Sequence, residues 1–72
     1  MNLSQLEKLG SELREIGHRR RELAEQIFNE VEVGHSHSSK ELYKELSIIS
    51  ERAIELMTRQ KKLFDEELQK MS

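Results

Sequence analysis

Apolar side chains recur at alternating steps of three and four along two stretches of this 72-residue chain. That spacing places them on one face of an α-helix and fits no β-strand, whose faces alternate every second residue. The stretches run from about residue 3 to 33 and from about 40 to 70. Their apolar positions are Leu6, Leu9, Leu13, Ile16, Leu23 and Ile27, then Leu42, Leu46, Ile49, Ala53, Leu56 and Leu63. Two long amphipathic helices are therefore predicted.

The only cluster of turn-type residues lies between the two stretches, at residues 34–39. Gly34 can adopt the left-handed conformation that ends a helix, and Ser38 with Glu41 forms a capping-box pattern that starts one. A connection this short makes consecutive helices antiparallel neighbours. The expected fold is all-α: one helical-hairpin domain over residues 1–72, with a loop at 34–39.

A second column of small or apolar residues adjoins the main stripe on each helix. On the first helix it holds Leu3, Gly10, Gly17, Ala24 and Val31, and on the second Tyr43, Ser50, Met57, Phe64 and Met71. Ile48, Ile54 and Leu68 lie outside both columns. One neighbouring helix covers one stripe only, so we expect two hairpins to pair into a four-helix bundle. The residues predicted to form this or another protein interface are Gly10, Gly17, Arg20, Ala24, Ile48, Ile54, Met57, Phe64 and Leu68.

Two kinds of residue interrupt the apolar pattern. Gly10 and Gly17 lower helix propensity, but without a side chain they let another backbone approach closely, which indicates tight helix packing within the hairpin or dimer, or a groove for a partner helix. Arg20 and Gln60 occupy core positions, where a polar side chain can fix register or oligomeric state at some cost in stability. A turn centred near Ser36 would place Arg20 opposite residues 51–53, with Glu51 or a second chain supplying its partner.

Few residues carry recognisable chemistry. The chain has no Cys, and it lacks a nucleophile elbow and a glycine-rich phosphate loop, so neither an enzyme nor a cofactor is expected. His35 and His37 could share a metal ion with Glu30 or Glu32, but an exposed turn is the favoured interpretation. No small-molecule substrate is evident. The longest apolar run is only a few residues, which does not suit a membrane span.

Nucleic-acid binding is an alternative that rests on a short basic run. The run covers residues 18–21, and the candidate contacts are Arg14, Arg19, Arg21, Lys61 and Lys62. Consecutive charges fan out around a helix, and acidic residues lie within a turn of the run. The chain has a net charge of −2 and few aromatic residues to stack on bases. Nucleic acid is therefore not the expected partner.

Six residues of the second helix resemble the signature of the small sporulation-associated aspartyl-phosphate phosphatases of Gram-positive bacteria. They are Ile49, Ser50, Glu51, Arg52, Ala53 and Ile54. Those phosphatases are helical hairpins of similar size with a Ser-Gln-Glu-Leu-Asp signature. Only Ser50 matches outright, and Ile54 stands where the family has its Asp. The resemblance implies a regulator of a response regulator as an alternative, without any catalytic residue to carry over.

The favoured function is a non-enzymatic protein–protein interaction module: a small adaptor, chaperone-like factor or regulator. It would act through helix packing as a homodimer and bind another protein. The absence of Cys and of a signal-peptide pattern predicts a cytoplasmic location.

Overall fold

A computed structural model describes residues 3–71, and they form two helices that pack against each other as a hairpin. Helix α1 comprises Leu3–Glu32 and helix α2 comprises Ser36–Met71. The hairpin measures 55 × 15 × 14 Å, so it is a narrow rod. The predicted all-α hairpin is confirmed.

The turn between the helices is a Schellman motif. The His35 N–H donates to the Glu30 carbonyl at 2.9 Å, and the Gly34 N–H donates to the Val31 carbonyl at 3.1 Å. Gly34 has φ +80°, which other residues adopt only with strain. The side chain of His35 also contacts Glu30, with Nδ1 and Oε2 2.7 Å apart. Gly34 thus ends α1 as its sequence position predicts.

Helix α2 begins four residues earlier than predicted. The His35 carbonyl accepts the Ser39 N–H at 3.0 Å and the Ser39 hydroxyl at 2.8 Å, so the helical ladder starts there. Ser38 therefore lies inside α2, and the predicted capping box with Glu41 does not form. The Schellman motif reverses the chain within residues 33–35, which leaves the serines after it available for the first turn of α2.

The core is a single seam along the helix interface. Leu23 and Leu56 are fully buried, and Leu9 and Ala53 nearly so. Other predicted stripe positions are half-buried: Leu6, Leu13, Ile16, Ile27, Leu42, Leu46, Ile49, Gln60 and Leu63. A core this small is typical of chains that need a disulfide, a metal ion or a partner for stability.

Candidate interaction surface

One flank of the seam is closed by ion pairs between the helices. The Arg19 guanidinium donates from Nη2 to both carboxylate oxygens of Glu45, at 2.8 and 3.0 Å. Seven residues away on each helix, Arg52 Nη2 donates to Glu12 at 3.3 Å. The hydrogen bond to Glu45 raises the pKa of Arg19 above its ordinary value, with smaller charge effects of Glu45 and Glu22. We call these four residues the ion-paired flank.

The other flank of the seam carries the two second columns predicted from the sequence, and we call it the apolar flank. At about 100° per residue, these columns lie on the side of each helix opposite the ion-paired flank. Its large side chains face solvent although they are apolar. The exposed ones are Leu3, Val31, Tyr43, Met57, Phe64 and Met71, with Ile54 and Leu68 at the rim. The hairpin alone leaves this flank uncovered.

The glycines of the apolar flank do not serve packing within one hairpin. A Cβ added to Gly10 or Gly17 would meet no atom within 4 Å. Ala24, the next small residue of the column, is exposed. Helix α2 therefore does not approach α1 closely at these positions, and any close approach there must come from outside the chain.

Arg20 lies at the inner border of the apolar flank. Its Nε donates to the Ser50 hydroxyl at 2.9 Å, so Ser50 is its partner, instead of Glu51 as the sequence suggested. Within residues 3–71 its two Nη atoms have no partner. Arg20 is exposed, and the neighbouring Arg19 is the half-buried member of the basic run. A charged group that is only partly hydrogen-bonded thus lies at the edge of an apolar surface.

Gln60 is the second polar residue at this border. It lies in the seam of α2 and is half-buried, and its amide has no hydrogen-bond partner in the part of the chain that the structure describes. The structure therefore places both polar core positions of the sequence beside the apolar flank, at different heights along the rod.

The remaining candidate residues do not form a site. Ile48 is exposed on the outer face of α2, away from the apolar flank. His35 contacts Glu30, but no group of three His, Cys, Asp or Glu residues within 3–71 could hold a metal ion. Neither helix, over the same residues, is long and apolar enough to cross a membrane.

The ion-paired flank is what the sequence interpretation missed. Glu12 and Arg19 are seven residues apart on α1, and Glu45 and Arg52 are seven apart on α2. In an antiparallel pair, Glu12 lies beside Arg52 and Arg19 lies beside Glu45, so two pairs of opposite charges are brought together. This repeated match was the signal that could have identified the flank before the structure did.

Comparisons of the chain with protein-family models, with curated proteins and with solved structures give no significant match.

Proposed function

We propose that this chain is a non-enzymatic interaction module that acts as a homodimer, in which two hairpins pair through their apolar flanks into a four-helix bundle. The observation that supports this proposal is the difference between the two flanks of the seam. Ion pairs between α1 and α2 satisfy one flank, whereas the other exposes apolar side chains along the length of the rod. Contiguous apolar patches of this kind mark interaction surfaces.

The dimensions of the apolar flank suit a dimer interface. The rod is 55 Å long and 15 Å wide, so one face covers roughly 800 Å². A stable protein–protein interface of standard size buries about 800 Å² on each partner. A second copy of the chain presents a face of the same length and the same apolar character. It can therefore cover the whole flank, whereas a shorter helix would leave part of it exposed.

The dimer would be a scaffold for binding another protein, as an adaptor, chaperone-like factor or regulator. Ile48 lies on the outer face of α2 and Val33 lies at the turn, and both are exposed. Since neither residue belongs to the apolar flank, both stay accessible when a second copy covers it. They are the residues from which a search for the partner protein would begin.

No observation favours the two alternative functions. Ser50 is the one residue that matches the phosphatase signature, and its hydroxyl accepts a hydrogen bond from Arg20. In the basic run, Arg19 is neutralised by Glu45. The run therefore presents fewer free charges to a nucleic-acid backbone than its sequence indicates.

The test compares substitutions of two isoleucines of similar exposure on α2. Ile54 is 59% exposed at the apolar flank, and Ile48 is 67% exposed on the outer face. Ile54→Asp should weaken dimerisation by about 2 kcal/mol or more, since a short carboxylate cannot reach past a covered flank to solvent and its burial is costly. Ile48→Asp should leave dimerisation unchanged. Sedimentation equilibrium measures both, and circular dichroism checks that the variants remain helical.

Equal dimerisation of the two variants would contradict the assignment of the flank. A wild-type chain that sediments as a folded monomer at micromolar concentration would contradict the homodimer itself.

A further inference from the structure

We infer that the two hairpins pair with their turns at opposite ends, so that Arg20 of each copy meets Gln60 of the partner subunit. This inference rests on the proposed homodimer and specifies its orientation and the polar contact that fixes it. In this arrangement each helix lies antiparallel to its own copy across the apolar flanks. A two-fold axis crosses the rod near its middle.

The first argument is the incomplete hydrogen bonding of Arg20 and Gln60. A second copy that covers the apolar flank removes water from its inner border, where both side chains lie. The Arg20 Nη atoms have no partner within residues 3–71, and the same holds for the Gln60 amide. A polar group buried without a partner is strongly unfavourable, whereas a guanidinium that donates to an amide oxygen satisfies both residues.

The second argument is the position of these residues along the rod. The mean register of the cross-helix hydrogen bonds places Arg20 level with residue 47 of α2, and Gln60 lies thirteen residues further along, a separation of about 20 Å at 1.5 Å per residue. They are too far apart to pair within one chain. A two-fold axis midway between them crosses α2 between residues 53 and 54, which is also the centre of the helix. The axis that pairs Arg20 with Gln60 thus also superposes the full lengths of the two rods.

The third argument is charge complementarity at the outer rim of α1. The level of this axis on α1 is near residue 14, because the mean of the registers given by the Arg52–Glu12 and Arg20–Ser50 hydrogen bonds places residue 14 level with residue 53 of α2. Glu7 and Arg21 are both seven residues from Arg14, on opposite sides of it and on the same helix face. In the dimer, Glu7 of each copy therefore meets Arg21 of the partner subunit, which makes two such pairs. The two copies of Arg14 flank the axis, exposed at the rim, where long side chains extend into solvent.

The fourth argument is the unequal length of the helices. The register of the cross-helix hydrogen bonds places Leu3, the first described residue of α1, near the level of Phe64 on α2. Helix α2 therefore extends beyond the described start of α1, and Leu68 and Met71 are exposed on this extension. At the turn end, Phe28 and Val31 are exposed on α1. Turns at opposite ends bring the extension of each α2 over the first turns of the partner's α2, at the height of the apolar turn end of the partner's α1.

The opposite orientation, with both turns at one end, lacks these matches. Its two-fold axis runs along the rod, so equal residues of the two copies lie at equal heights. The two Arg20 guanidinium groups would then share one layer of the bundle core, and each Gln60 would face the partner's Gln60. Two like charges in one poorly solvated layer repel each other.

The first experiment is a residue swap measured by sedimentation equilibrium. Gln60→Arg should weaken dimerisation roughly tenfold, because it places two guanidinium groups together. The double variant R20Q/Q60R restores one Arg and one Gln at each contact and should recover near wild-type affinity. Since the residues are about 20 Å apart within one chain, such recovery requires contact between copies. Independent effects of the two substitutions would overturn the inference.

The second experiment uses the absence of Cys in the chain. Ile54 lies within a residue of the centre of α2, so Ile54→Cys should form a disulfide-linked dimer readily under mild oxidation. Ile48→Cys is the matched control on the outer face and should remain unlinked. If the wild-type chain sediments as a dimer, but Ile54→Cys does not cross-link and R20Q/Q60R does not recover affinity, the proposed orientation is wrong and the homodimer is still supported. A monomeric wild-type chain contradicts both.

Discussion

Truncation of the two fully buried leucines tests whether the seam holds the hairpin together. Leu23 on α1 and Leu56 on α2 are both 0% exposed. The Arg19–Glu45 and Arg20–Ser50 hydrogen bonds place Leu23 between the levels of residues 41 and 47 of α2. Leu56 is therefore more than a helical turn away along the rod, and the two substitutions act on separate parts of the seam.

The structure sets the expected size of the effect. A buried Leu→Ala substitution costs about 2–5 kcal/mol, the upper values applying where the surroundings cannot collapse into the cavity. A seam between two helices can relax more than the centre of a globular core, so we expect about 2–3 kcal/mol for each substitution. A core of this size supplies only about 3–5 kcal/mol, so the double variant L23A/L56A should be unfolded at micromolar concentration.

Urea unfolding followed by far-ultraviolet circular dichroism measures this loss, at a fixed protein concentration because dimerisation contributes to stability. Ile48→Ala is the control, since an exposed side chain on the outer face should cost less than about 0.5 kcal/mol. If Leu23→Ala and Leu56→Ala destabilise the chain no more than Ile48→Ala does, the helices do not pack along the seam described above.

Two further predictions concern the turn and the ion-paired flank. Gly34→Ala should lower the free energy of unfolding by about 1–2 kcal/mol in the same urea assay, because the φ of +80° at this position strains any residue with a Cβ. An unchanged urea midpoint would contradict the Schellman turn. Arg19→Ala should lower the urea midpoint at low salt by more than Glu22→Ala does, because Arg19 joins the helices through Glu45 whereas Glu22 contacts only its own helix. The difference should shrink in high salt, and a salt-independent difference would show that the ion pair is not its cause.

The sequence predicts the fold class well because the evidence for it is periodic. The steps of three and four in the two stretches identify the helices, and the same positions form the buried seam in the structure. The exposed side chains of the second columns were also predictable, since residues beside a stripe that one helix covers must face solvent. These features depend only on helix geometry, which is common to all helices.

The register between the helices was less predictable because it depends on the exact length of the turn. Serines and histidines at residues 35–39 are typical of loops and caps, so the sequence favours a long connection. The Schellman hydrogen bonds reverse the chain within three residues, and α2 starts at Ser36. Moving the turn toward Gly34 shifts every cross-helix pair, so Arg20 meets Ser50 and not residues 51–53.

The ion-paired flank depends on the same register. Arg19 can bond to an acidic residue on its own helix or on α2, and the antiparallel packing determines which carboxylate lies close enough. The structure brings Glu45 within 2.8 Å, and Arg19 bonds to it with both carboxylate oxygens. Composition and periodicity identify which residues are charged, but only the packed hairpin determines which charges meet.

The most direct test of the central claim is the molecular mass of the wild-type chain at micromolar concentration, measured by sedimentation equilibrium. If a second copy covers the apolar flank, the mass is about 17 kDa, twice the 8.5 kDa of one chain. A helical particle of 8.5 kDa over the whole micromolar range would contradict the claim, because the apolar flank would then stay exposed in a stable molecule.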